Sequence, residues 1–181
     1  MSNERQVIQI PYNSRQVPAG SYFCPYTVTT STFVCTANRL YLLPVIIPYD
    51  MIIRKLGFEV TTLHASNHVV GIYSWPRGEF ADTVLLGQTT VLSSSTTGLK
   101  EGDVTIHLTK GIYLIGINTG GTPTIRASAL TTQKLFWMSA ATATSEISFG
   151  QVTFTYTGTM PNTTGSPSFQ TTTPPQLILK T

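Results

Sequence analysis

Gly111-Ile112-Tyr113-Leu114-Ile115-Gly116-Ile117-Asn118, closed by Thr119-Gly120-Gly121, is the stretch on which the fold turns. Its apolar side chains fall at odd and even positions alike, so both faces of an extended chain are to be covered. A short run of this kind, rich in β-branched and aromatic residues, reads as a buried central strand. Just before it, Val104, Ile106 and Leu108 alternate with Thr105, His107 and Thr109, the pattern of a strand with one wet face. Only Thr109 and Lys110 separate the two, so a hairpin is the expected connection, with Gly111 easing the turn.

Outward from there the chain stays strand-like. Met51–Thr62 is amphipathic, with Ile52, Leu56, Phe58 and Val60 on one face and Lys55, Gly57, Glu59 and Thr61 on the other. Arg54 falls on the apolar face and is expected to snorkel to the rim. Val69–Trp75 is a strand ending in the loop Trp75-Pro76-Arg77-Gly78, and Val84–Leu92 is another. Ser93–Lys100 reads as a polar connector. Tyr22–Thr36 is extended, with Pro25 restricting it to an edge or a strand start, and Arg39–Ile47 is extended but interrupted by Pro44. Residues 129–143 hold at most a short strand around Leu135–Met138. In the strand from Ile147 to Tyr156, Ile147 and Phe149 are out of phase with Val152, Phe154 and Tyr156. Gly150 stands at the change, which suggests a bulge.

With 181 residues, the chain suits one domain with a substantial core. Charged residues make up only 10%, against about a quarter in ordinary globular chains, and Thr, Ser and Gly are abundant. Such a composition is all-β. The net charge of +3 is spread over scattered Lys and Arg, and the one adjacent pair, Arg54-Lys55, points to opposite faces of a strand, so no nucleic-acid footprint forms. Met1–Gln6 leads into no long apolar segment and no run approaches a membrane span; the expectation is a protein made in a cytoplasm, with no membrane partner. Cys24 and Cys35 fit no metal spacing. They could face each other across strands, but buried free thiols are the favoured reading.

Catalytic chemistry is hard to find. The eight carboxylates are dispersed, so no acid/base pair stands out, and no nucleophile elbow, phosphate loop or dinucleotide fingerprint occurs. His64 and His68 are four apart but lie around a Ser-Asn turn without a nearby acidic or Cys ligand, so they read as surface histidines and no metal or cofactor is expected. The loop presenting Trp75, Arg77 and Phe80 has the composition of a binding hot spot; the favoured alternative is that its aromatics cover the end of the domain. Outside the domain, Val7, Ile8 and Ile10 in the first 20 residues and Leu177, Ile178 and Leu179 at the end of a Pro-, Thr- and Gly-rich segment are apolar clusters able to anchor a neighbour. For the first of these, a frayed terminus is the other reading.

The succession Gly71-Ile72-Tyr73-Ser74, a Pro/Gly loop, Val84-Leu85-Leu86, the polar stretch to Leu108, Gly111-Ile112-Tyr113-Leu114 and Pro123-Thr124-Ile125-Arg126-Ala127 resembles a small β-sandwich domain of tailed-bacteriophage virions. Lys55–Val60 resembles the strand that precedes it there, and the likeness spans about residues 22–157. Trp75-Pro76-Arg77 replaces the acidic-Gly loop of the relatives, which puts a ligand role for that loop in doubt. The resemblance implies a single antiparallel jelly-roll-like β-sandwich (21–157) with extended arms at 1–20 and 158–181, assembled as a homotrimer on the virion surface. With no carboxylate pair an enzyme is not expected, and the leading expectation is a head decoration (cement) protein bound to the major capsid protein or other virion proteins; the alternative is a tail-fibre or receptor-binding tip that recognises a host-surface glycan.

Overall fold

The computed structural model describes residues 20–23, 28–76, 80, 82–128, 149–170 and 172–181. They form two antiparallel sheets and no helix, an all-β sandwich. The first sheet holds β1 (Tyr22–Phe23), β2 (Val28–Val34), β4 (Met51–Thr62), β8 (Gly98–Leu108), β10 (Thr124–Ser128) and β13 (Leu177–Lys180). In the second are β3 (Arg39–Ile47), β5 (Asn67–Ser74), β6 (Val84–Gln88), β7 (Leu92–Ser93), β9 (Gly111–Thr119), β11 (Phe149–Thr153) and β12 (Ser168–Gln170).

One ribbon organises both layers. The chain from β2 to β4 runs antiparallel to the chain from β10 back to β8, and the pairing continues across two bends. Thr32 faces Arg126 in the first sheet. Arg39 faces Thr119 and Ile47 faces Gly111 in the second, and then Met51 faces Leu108 and Val60 faces Gly98 in the first again. A ribbon folded over itself buries the apolar face of each half against the other, which is the economy of a jelly roll.

The expected β8–β9 hairpin is therefore not formed. β8 pairs with β4, and β9 lies between β3 and β5. Thr109-Lys110 carries the chain from one sheet to the other, alongside a matching arch at Pro48-Tyr49-Asp50, and the Lys110 N–H donates to Asp50 Oδ1 at 2.9 Å to clamp the two. Ile106 and Leu108 of β8 and Ile115 and Ile117 of β9 thus face each other across a single interior instead of lying side by side.

That interior also takes Leu43, Val45, Ile53, Leu56, Phe58, Val60, Val70, Ile72 and Phe149. Its phase along β4 differs from the simple alternation. A register shift between Ile53 and Lys55 moves the inward set from Met51 and Ile53 to Leu56, Phe58 and Val60. Ile53 is the buried residue rather than Ile52, and Arg54 is exposed on the outer side instead of lying on the apolar face. Pro44 does not interrupt β3; it stays in register opposite Leu114. Cys35 is a free, buried thiol pushed up to about 12 by loss of solvent, while Cys24 lies outside the described residues.

A second apolar cluster occupies the outer face of the second sheet: Leu40, Leu42, Val69, Tyr73, Trp75, Leu114 and Met160, flanked by Phe80, Leu85, Val152, Phe154 and Tyr156. It explains why β9 is apolar on both faces. It also removes the need for a bulge at Gly150, since β11 pairs with β3 in unbroken register. Phe149 points into the sandwich and Val152, Phe154 and Tyr156 belong to the outer cluster, so the change of phase is a change of face.

The segment expected as a free tail does two structural jobs. Residues 154–166 form a strap across the outer cluster. Met160 lies over Gly71 and Gly116, which face each other across β5 and β9 and leave room for its side chain: a Cβ on either glycine would stand 3.1–3.2 Å from it. The strap is fastened by Met160 N–H to Gln88 Oε1 (2.6 Å), Asn118 Nδ2–H to Thr159 O (3.1 Å), Tyr73 O–H to Pro161 O (2.9 Å) and Leu85 N–H to Asn162 O (3.0 Å). Beyond it, β13 inserts between β1 and β4, with Leu177 facing Phe58 and Leu179 facing Leu56. Leu177 and Leu179 are fully buried, so this apolar tip completes the chain's own core and is not free to anchor a neighbour. Burying two such side chains stabilises the fold by about 1.5–3 kcal/mol each, which a free tail would forgo.

Candidate functional site

The strap does not cover the whole outer face of the second sheet. At the end carrying the two arches, Ile46 and Ile112 form a cross-strand pair on that face, 45% and 48% exposed, while Leu42 and Leu114 further along are buried. Paired branched side chains left in water are costly for a lone subunit, by about 25 cal/mol for each Å² of apolar surface. Near this shelf, Trp75 follows directly on β5, whose last pair with β9 is Ser74 and Tyr113. Its ring lies 5.2 Å from Phe80, and Phe80 lies 5.7 Å from Phe169 on β12. Phe169 is 47% exposed.

The residues singled out from sequence fall in different places. Trp75 is buried in the outer cluster and Phe80 packs against it, so these aromatics close off the sheet rather than form a free loop tip. Arg77 lies outside the described residues, as do Val7, Ile8 and Ile10. Ile178 is half-buried on the outer side of its strand. The chain leading back to those N-terminal residues is tied to the C-terminus: Gly20 N–H donates to Thr181 O at 2.6 Å and Thr181 N–H to Ser21 O at 3.1 Å. The exposed residues Ile46, Ile112 and Phe169 were not legible in the sequence. Ile46 and Ile112 sit in runs that look fully buried, and only the extent of the strap leaves them out.

His64 and His68 also part company. His64 is exposed, but His68 is completely buried on the inward side of β5, against the Phe58 ring at 5.5 Å. Its Nε2 lies 2.8 Å from Ser94 Oγ and 3.1 Å from Ser66 Oγ, and its Nδ1 has no partner. Burial, with a smaller contribution from His64, pushes it down to about 4. Among the described residues no three His, Cys, Asp or Glu side chains come together in a way that could hold a metal ion.

No family model matches the sequence, and no curated protein is significantly similar to it.

Proposed function

We propose that this chain is a non-enzymatic structural subunit of a tailed-bacteriophage virion, a head decoration protein that self-associates as a trimer and bridges major-capsid subunits. The observation that carries the reading is the uncovered end of the strapped face. A chain that covers almost all of an outer apolar face with its own strap, yet leaves the Ile46–Ile112 pair in water, has a surface whose cover comes from another subunit. The resemblance of the 71–127 stretch to virion sandwiches supplies the setting. With Leu177 and Leu179 built into the core, the anchoring role among the arms falls to Val7, Ile8 and Ile10. Ordering such a segment costs about 1–2 kcal/mol per residue, so it must bury substantial apolar surface on a partner to remain bound.

A receptor-binding tip is the second reading, and Phe169 is the observation in its favour, because an exposed aromatic face next to a rigid aromatic row can stack on a sugar ring. Particles carrying a deletion of residues 1–10, the pair Ile46→Ser and Ile112→Ser, or Phe169→Ala separate the two. Decoration predicts reduced protein content and heat resistance for the first two with host adsorption unchanged. Lost adsorption with normal heat resistance, above all in Phe169→Ala, assigns the protein to receptor binding. Trp75→Ala is unsuited to this test, because removing a buried Trp destabilises the subunit itself.

A further inference from the structure

We propose that the Ser66–His68–Ser94 cluster is an acid-sensitive latch: it ties together the end of the sandwich opposite the arches, and that end opens locally when His68 takes up a second ring proton.

The hydrogen bonds fix the resting state. Ser94 has one hydroxyl proton, and its shortest acceptor is His64 O at 2.6 Å. With that proton committed, Ser94 Oγ is left to accept, and the 2.8 Å contact is a donation from His68 Nε2–H. The imidazole is then neutral with its proton on Nε2, and the bare lone pair on Nδ1 is the atom without a partner. A lone acceptor in an apolar pocket is tolerable. A second proton would have to sit on Nδ1, creating a charged donor with nothing to receive it in a site that water does not reach.

Among the described residues no neighbour offsets that cost. β4 presents Phe58, the turn before β5 presents His64 and Ser66, β9 presents Thr119 opposite His68, and the β7 side presents Leu92 and Ser94. Among the described residues His64 is the one other titratable group against this ring, and its charge acts against protonation of His68. The same cluster fastens three chain segments. Ser94 N–H donates to Ser66 O at 2.9 Å and His64 N–H donates to Ser94 O at 3.1 Å. The Gly120-Gly121 turn packs so closely that a Cβ on Gly121 would stand 2.4 Å from Ser66 Oγ and 2.8 Å from His64 Nδ1. Expelling the charged ring to water therefore loosens the 64–68 turn, the 92–94 segment and the 119–121 turn together, while the middle of the β3–β9 pairing, where Leu43 faces Ile115, has no share in it.

The sign follows from linkage. A base whose folded value is depressed stabilises the closed state above its unfolded value near 6.5, and that stability is lost as pH falls toward about 4. Amide-exchange protection of His64 and Ser94 should fall by on the order of 50-fold between pH 7 and pH 4.5, with Leu43 and Ile115 of β3 and β9 holding theirs. In His68→Gln the pH-dependent drop should vanish, and in Ser94→Ala protection at His64 should be low at both pH values. Imidazole NMR of the unaltered protein supplies a readout that needs no variant: an Nε2–H tautomer and a midpoint near 4 for His68. A midpoint near 6.5, an equal loss of protection in β3 and β9, or an undiminished drop in His68→Gln would each overturn the latch.

Discussion

The two outer faces of this sandwich are finished in opposite ways. On the first sheet the charged outward positions are paired in water, with Leu99 and Val34 exposed beside them: Arg126 holds Glu59 through two hydrogen bonds of 2.9 and 3.1 Å, and Lys55 lies 3.3 Å from Asp103 and 4.0 Å from Glu101. On the second sheet they are largely apolar and roofed by the 154–166 strap, except at the Ile46–Ile112 shelf and at Phe169. Half-exposed ion pairs contribute little, because solvent screens them and ordering long side chains costs entropy. A dry outer cluster is worth several times more, but it needs a cover along its whole length. The difference says where stability resides in this fold and which end of it is unfinished.

The largest expected break in that comparison comes from the far end of the strap segment. Deleting residues 176–181 removes β13, the strand between β1 and β4, and should abolish cooperative thermal unfolding altogether; a cooperative melt in the truncated protein would make β13 an accessory. Met160→Ala empties the space over Gly71 and Gly116 and should cost about 2–5 kcal/mol in denaturant unfolding at neutral pH, the usual range for a buried Met. Tyr73→Phe deletes only the hydrogen bond to Pro161 O and should cost about 1 kcal/mol. The smallest change belongs to the wet face. Glu59→Gln breaks the ion pair with Arg126 at a cost of at most about 1 kcal/mol. Arg126 holds the Glu59 carboxyl below the usual carboxylate range, so the pair's contribution is present at neutral pH and fades as acid protonates Glu59; the gap between the variant and the parent should close on acidification. A Glu59→Gln cost equal to that of Met160→Ala would erase the distinction between the two faces.

Local pattern carried much of this architecture. The alternation in β8, the doubly apolar β9 and the span of β4 were all legible because side-chain period and β-branching act within a few residues. Partner choice was not. Two residues at Thr109-Lys110 suit a hairpin or an arch equally, and only the pairing of β3 and β4 with distant strands selects the arch. The phase change at Gly150 looked like a backbone defect because nothing in 149–156 announces that both faces of the sheet are covered. Leu177–Leu179 looked like a loose tip because its partners, Leu56 and Phe58, are about 120 residues away. His68 was read as a surface residue for the same reason: the Ser94 hydroxyl that fixes it is 26 residues distant.

Light scattering at micromolar concentration tests directly whether the Ile46–Ile112 shelf is an interface. The parent chain should have the mass of a trimer, and the Ile46→Ser, Ile112→Ser double variant should be a folded monomer that still melts cooperatively, below the parent by what assembly contributes and with a midpoint that no longer depends on protein concentration. A parent that is monomeric across that range, or a double variant that remains trimeric, would contradict it.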